Sequence, residues 1–315
     1  MPDDLGVTKI TSLAKEVVAH FGWANYEEWS DKVVINSQLH LNLLGLSVNK
    51  AGRILTGSSA SREPKDTLKA YAELIERIVV CEAGSAVKIA AGSGYQPSLS
   101  NGVSFALCWE DACEFAAVEL IERHLILDSW LHQRRPTPWS WQPVASEMLQ
   151  EEYQTVGIDF GSVYWEGSEV LSAGWFLFPK QPQLPFVCGF GASRIAAQAR
   201  NKAVEEGLQR LGFLFGEPIV TEDPEYEPSA LYHQDYYLNP KNHRFIRDWL
   251  AAPTAAAVPQ ELDFAFVDLT PAMFAGEFRV VQALCSQATP LVFGDATRVP
   301  FYQGVTPIHP VHPLA

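Results

Sequence analysis

Three stretches of this chain set oxygen-bearing side chains one helical turn apart and follow them with an arginine. Glu73-Leu74-Ile75-Glu76-Arg77 and Glu119-Leu120-Ile121-Glu122-Arg123 share five letters, and Glu206-Gly207-Leu208-Gln209-Arg210 is a third version with glutamine for the second acid. Positions i and i+3 are neighbours on a helix surface, so each copy pairs two such side chains. The middle copy is the most crowded. At ~100° per residue Asp111 and Glu122 project within about 20° of each other, and Glu119 within about 80° of Asp111. A solvated stripe would intersperse lysines; here Arg123 and His124 are the basic side chains near the last acid. Carboxylates so placed repel one another unless a cation lies among them, and their oxygens are the ligands of a hard divalent ion. A solvent-facing charged turn accounts for any one copy, and the repetition is the argument for a shared role.

The elements that must carry these groups follow from pattern. Ser100-Asn101-Gly102-Val103 reads as a turn, because Asn and Gly tolerate positive φ, leading into a helix whose apolar side is Ala112, Cys113, Ala116, Leu120 and Ile121. Pro64 fits the first turn of the helix that reaches Glu73 and Glu76. Gly57 to Ser61, small and polar, reads as a loop, either one that approaches phosphate or an ordinary flexible connection. Residues 86–90 look strand-like and Gly92-Ser93-Gly94 looks like a turn. Val156 to Trp165 and Val170 to Phe178 predict an antiparallel hairpin around Glu166-Gly167-Ser168. Gly189-Phe190-Gly191 opens onto a helix from Ile195 to Phe213, whose N-terminus would favour phosphate, although tight packing explains the glycines equally well. Ile10 to Phe21 predicts an amphipathic helix, and Phe264 to Val267 and Phe278 to Ala283 predict strands bracketing a short helix. Strands grouped around helices without a regular βαβ repeat indicate the α+β class, with mixed sheets and helices converging on a carboxylate-rich site. The end of the chain, Thr306 to Ala315, is held by its prolines to an extended path; a frayed tail is the alternative.

Charge and composition narrow the partners. With 23 basic and 37 acidic residues the net charge is −14, which opposes nonspecific binding to nucleic acid or an anionic membrane. A nucleotide remains compatible, since Mg²⁺ bridges carboxylates and phosphates. The start, Met1-Pro2-Asp3-Asp4, is acidic where a secretory signal is basic, and no apolar run approaches ~18 residues, so a cytoplasmic protein is expected. Five cysteines without a CxxC pair indicate neither a disulfide framework nor a zinc site. No base is apparent for Cys113 as a nucleophile, and His233 and His243 read as surface or core histidines.

The segment Ser100 to His124 resembles the signature of the YcaO family, in which an SNG turn leads through an acidic, alanine-bearing helix into E-L-I-E-R. Ala70 to Arg77 is similar to that family's first ATP-site helix, and Gly189 to Ala192 with Ala203, Glu206 and Gln209 to its third. Val267 to Thr270 and Thr289 to Leu291 resemble its C-terminal strands, and the Pro- and His-rich end resembles its azoline-forming members. The resemblance covers most of residues 66–315 and implies a single YcaO-like domain over 1–315, with a divergent portion at 1–60 and a tail at 305–315. It implies ATP and Mg²⁺ as cofactors, with Glu73, Glu76, Glu119, Glu122 and Glu206 holding metal. Ser100, Asn101, Arg77, Arg123 and Gln209 would hold the nucleotide, the arginines contacting phosphates or pairing with the acids. Family members activate a peptide's backbone amide oxygen after a nucleophile has added to its carbonyl. In azoline formation the nucleophile is a Cys, Ser or Thr side chain of the peptide and the oxygen leaves as phosphate. His312, Pro313 and Ala315 would then serve the reaction, Ala315 through its carboxylate or His312 through its ring as base. The implied partners are a precursor peptide and a separate leader-peptide-binding or E1-like protein. A thioamide- or amidine-forming relative and a noncatalytic scaffold are the alternatives. Three features depart from the family pattern: Lys69 stands where its first helix has serine, the segment 78–99 is short, and Pro307, Pro310 and Pro313 are spaced by three rather than alternating.

Overall fold

The computed structural model describes residues 4–86, 89–219, 221–255 and 258–315. In chain order these form α1 (Asp4–His20), β1 (Ala24–Val34), β2 (His40–Lys50), β3 (Arg53–Ser61), α2 (Lys69–Ala83), β4 (Tyr95–Pro97), β5 (Val103–Ala106) and α3 (Trp109–Leu131). There follow β6 (Thr137–Pro138), α4 (Val144–Met148), β7 (Tyr153–Trp165), β8 (Ser168–Pro179), β9 (Val187–Ser193) and α5 (Ala196–Leu214). The last are α6 (Ala230–Leu238), α7 (His243–Leu250), β10 (Ala265–Asp268), β11 (Arg279–Leu284) and β12 (Val292–Gly294). The class is α+β. The elements divide into two compact units, each assembled from three separate segments.

The first unit takes Met1–Val87, Gly102–Ala117 and Ala265–Leu284. Its β1-β2-β3 sheet is an antiparallel meander, and α2 packs on it through Ala70, Leu74, Ile75 and Ile78, which recur at helical spacing against Leu44, Leu46 and Val48 of β2. A turn of 3-10 helix from Pro64 leads into α2, and Gly84, at φ +77°, follows its last residue. Gly57 to Ser61, expected as a loop, belongs to β3: Leu46 to Asn42 of β2 pair with them in register. Their small side chains serve close packing, not flexibility. A second sheet runs β10-β11-β5, and the start of α3 packs Ala112 and Cys113 against Ala106 and Val281. The Asn101-Gly102 turn forms, with Gly102 at φ +66°, but the strand β5 intervenes before the acidic helix. Of the strand expected at 86–90, residues 87 and 88 lie outside the described residues, and 89–90 carry no regular structure.

The second unit takes Lys88–Asn101, Val118–Phe264 and Cys285–Ala315. Its main sheet runs β6-β7-β8-β9, antiparallel throughout. The predicted hairpin is β7–β8, turned by Glu166 and Gly167, both at positive φ as a tight two-residue turn requires. Trp175 is fully buried, and Trp249 stacks on Phe160 and meets Phe176 edge-on. Gly189-Phe190-Gly191 lies within β9 and does not form a loop at a helix N-terminus. The last residues are packed rather than frayed: Val311 and Leu314 are buried, Trp130 donates its indole N–H to the His309 carbonyl at 2.8 Å, and the Tyr237 hydroxyl donates to the Val311 carbonyl at 2.5 Å. His233 is a core residue, its Nδ1–H donating to the His312 carbonyl at 2.8 Å while Nε2 accepts the Gly294 N–H at 2.7 Å. His243 is likewise buried.

Candidate functional site

On α2 of the first unit each acid holds a neighbouring strand. Glu73 accepts the Ser58 N–H of β3 at 2.6 Å and pairs with Arg77 at 2.5 Å, one turn on. Arg77 in turn donates to the carbonyl and hydroxyl oxygens of Thr56, both at 3.0 Å. Glu76 accepts the Phe105 N–H of β5 at 2.6 Å. These are charge-assisted bonds to peptide groups, so the same carboxylates that could meet a cation also fix two sheets to one helix.

The second unit gathers the remaining acids on α3 and α5. Glu119 pairs with Arg123 at 2.7 Å, and Glu206 pairs with Arg210 at 3.2 Å while accepting the Phe190 N–H of β9 at 3.0 Å. Glu122 has the most perturbed carboxyl. Burial, then the charge of Glu206, and also that of Glu119, push it up to about 8, with Arg123 and Lys202 pulling the other way. Burial also works against the charge of Arg123, but Glu119, Glu122 and Glu206 outweigh it and hold the guanidinium above its usual pKa. Gln209 stands one turn from Glu206 on α5, half-buried.

The tail reaches this helix. Arg210 donates to the main-chain oxygen of Ala315 at 2.8 Å, and the Cys188 thiol lies 3.9 Å from the Pro313 carbonyl. His312 is fully buried; burial lowers its pKa to about 4, and its Nε2 donates to the Val292 carbonyl at 2.9 Å. A ring held neutral in this way is a weak base that fixes the chain leading to Pro313 and Ala315. Ser100 is exposed in the turn before β5, and Asn101 beside it is buried.

The structure therefore groups Glu119, Glu122, Arg123, Glu206, Arg210, His312, Pro313 and Ala315 in the second unit, and Glu73, Glu76 and Arg77 in the first. What sequence reasoning missed is the role of the strand N–H groups of Ser58, Phe105 and Phe190. Two of these residues directly follow a glycine, a signal that reading the glycines as loop formers obscured. Among the described residues, no three His, Cys, Asp or Glu side chains are grouped so as to cage a metal ion. The donor chemistry still suits Mg²⁺: the groups are hard oxygens, two like charges weigh on Glu122, and Mg²⁺ is characteristically held by one or two carboxylates together with phosphates and water.

A family model described as YcaO cyclodehydratase, ATP- and Mg²⁺-binding, matches residues 85–288. No curated protein sequence matches the chain. Among solved structures, the chain is similar to YcaO from Methanopyrus kandleri bound with AMPPCP and Mg²⁺, at a TM-score of 0.62 and 17% identity over 90% of each chain. It is also similar to a heterocyclase in complex with substrate and cofactor, at a TM-score of 0.58 and 12% identity, covering 88% of this chain and 52% of that one. A third match is the Escherichia coli microcin synthetase McbBCD complex with pro-MccB17 bound, at a TM-score of 0.55 and 13% identity, covering 82% of this chain and 87% of that one. At these identities the likeness is one of fold.

Proposed function

This chain belongs to the YcaO family, an ATP- and Mg²⁺-binding one, and on that premise we propose that it activates backbone amides of a ribosomally made peptide, closing Cys, Ser or Thr side chains into azolines. The observation that supports the reading is the carboxyl of Glu122, on which the charges of Glu206 and Glu119 weigh and whose repulsion a divalent cation and its phosphates would relieve. In the reaction a thiol or hydroxyl of the peptide adds to the preceding carbonyl, the former amide oxygen departs, and the amide nitrogen loses its proton as the C=N bond forms. Bound ATP supplies the phosphoryl group with which that oxygen leaves as phosphate.

The chain's own part is positioning and charge, which is most of what phosphoryl transfer asks of a protein. Glu73, Glu76, Glu119, Glu122 and Glu206 would hold Mg²⁺, and Arg77, Arg123, Gln209, Ser100 and Asn101 would meet the nucleotide. Arg77, Arg123 and Arg210 keep the first acid of each stretch oriented. His312 anchors the tail so that Pro313 and Ala315 stand beside Arg210, where they would orient the peptide amide. A precursor peptide and a leader-binding partner protein complete the proposed system; the microcin synthetase is itself a complex with a bound pro-peptide. A noncatalytic scaffold is the second reading, favoured by the strand N–H groups and arginines that already occupy the carboxylates of Glu73 and Glu206.

Calorimetric titration with Mg²⁺ and a non-hydrolysable ATP analogue should give saturable binding, weakened at least about tenfold by Glu119→Gln, as loss of a charged ligand implies. With ATP, Mg²⁺, partner and precursor, the peptide should lose one water per ring formed, and deleting Pro313 to Ala315 should stop that loss while nucleotide still binds. Burying Leu314 is worth roughly 1.5–3 kcal/mol, so the truncated protein should also melt earlier. Nucleotide binding without any ATP-dependent mass change would favour the scaffold.

A further inference from the structure

A strand at the edge of a sheet carries a row of backbone N–H and C=O groups with no partner strand, a ready template for pairing with another chain. Most edges of this protein are covered or short. An N–H group on each of β3, β5 and β9 meets a helix carboxylate: Ser58 donates to Glu73 at 2.6 Å, Phe105 to Glu76 at 2.6 Å and Phe190 to Glu206 at 3.0 Å. The strands β4, β6, β10 and β12 run for only 3, 2, 4 and 3 residues. The exception is β1. It extends over 11 residues without proline, and among the described residues it pairs with β2 alone.

One hydrogen bond tells which groups of β1 face outward. Lys32 donates its backbone N–H to the Asp31 carboxylate at 2.7 Å, so that N–H points away from β2. At a period of two, Glu28 and Ser30 turn the same way, each presenting an N–H and a C=O. Large side chains stay clear of this row. Trp29 lies back over β2, where a Cβ on Gly45 would come within 2.2 Å of its ring, and the Tyr26 hydroxyl turns to Glu28 at 2.9 Å. Residues 27 to 32 are all exposed.

The charges select the occupant. The strand carries both signs, Glu27, Glu28 and Asp31 with Lys32, so a segment of one sign would meet repulsion somewhere along it. A second copy of β1 can pair antiparallel about a two-fold axis, the same patch on both chains. Opposed residues must both face outward to exchange N–H and C=O bonds, which restricts the registers to those centred on a residue. Centring on Glu28, Asp31 or Lys32 sets that charge against its own copy, and centring on Trp29 opposes Glu27 to Asp31. The register centred on Ser30 has no like-charge pair: Glu28 faces Lys32 on both sides of the axis, Asp31 faces Trp29 and Glu27 faces Val33. We propose that β1 is a dimerisation edge, pairing with β1 of a second copy about Ser30 and joining the two β1-β2-β3 sheets into one.

Sedimentation velocity of the full chain over a range of concentrations tests this. The wild type should pass from one chain to two as concentration rises. Glu28→Lys and Lys32→Glu should each weaken association by about tenfold or more, since two like-charge pairs replace two opposite ones. Mixed together, these two variants should associate as the wild type does, because every lysine then faces an acid; a variant that had merely failed to fold would not be rescued by the other. Ser30→Pro, which removes an outward N–H and leaves the ladder to β2 intact, should stay monomeric while still melting cooperatively. A wild type that is monomeric throughout, a dimer indifferent to Ser30→Pro, or a mixture of the two charge variants that does not associate would overturn the proposal. So would β1 amides that gain protection from hydrogen exchange only when a different protein is added, which would give the edge to that partner instead.

Discussion

Burial and the Glu206 carboxylate raise the Glu122 carboxyl from 4.5 to about 8, and this has a consequence for stability. Between those values the folded chain keeps a proton that the unfolded chain has lost. Unfolding free energy therefore falls as pH rises, with the favourable contribution complete below the unfolded pKa and lost through the folded one. Without metal, the melting temperature should decline from about pH 5 to about pH 8, and Glu122→Gln, which cannot titrate, should flatten that decline. Parallel pH profiles for variant and wild type, measured by calorimetry, would mean that Glu122 carries no such shift. Added Mg²⁺ should steepen stabilisation at the alkaline end, where the carboxylate is available to it.

At the scale of elements, the glycines of β3 and β9 set how closely a helix can lie on its strand. A methyl on Gly189 would meet backbone atoms of α5 at 2.1 and 2.2 Å, and backbone cannot swing aside as a side chain can. Gly189→Ala should therefore cost about 1–3 kcal/mol or more by overpacking, and should also separate Phe190 N–H from Glu206. Gly276→Ala is the control: no atom lies within 4 Å of its Cβ position and its φ is not in the left-handed region, so denaturant midpoints should barely move. A mild effect at Gly189 would show that α5 can shift without loss. The acids themselves were plain in the sequence, since i,i+3 spacing and the following arginine are local. The strand N–H partners were not, because which strand faces a helix depends on residues 15, 16 and 29 positions away.

At the scale of the molecule, each unit is discontinuous in the chain. The first borrows β10, β11, Phe274, Phe278 and Val280 from residues that follow most of the second unit, and β11 is the central strand of its β10-β11-β5 sheet. A fragment ending at Ala117 would leave β5 without that partner and its core open beside Val103 and Phe105. Contacts of such sequence separation must wait for the intervening chain, which slows folding. Fragment 1–117 should lack a cooperative thermal transition and be cut rapidly by protease, while the whole chain melts cooperatively; a sharp transition in the fragment would show that the borrowed strands are dispensable. The net charge of −14 belongs to this scale too, and among the described residues no helix is long and apolar enough to cross a membrane.

The sequence alone determined the α+β class, the β7–β8 hairpin, the helices bearing Glu73, Glu122 and Glu206, and the resemblance that named the family. Each of these rests on a period of 2 or 3.6 residues, on turn chemistry, or on a contiguous motif, all of which act over a few residues. Gly57 to Ser61 was misread as a loop because small residues look alike whether they give freedom or closeness; only the packing of α2 against β3 distinguishes the two. The acid-to-arginine repeat of α2 and α5 is legible in letters, but the glycine at which each helix meets its strand is not, since Thr56-Gly57-Ser58 and Cys188-Gly189-Phe190 share one residue, and it appears when contacts are compared. Tertiary structure likewise decided the surroundings of Glu122 and the docking of the tail on Arg210. Burial and the approach of charges from other helices are sums over distant residues, and no local pattern encodes them.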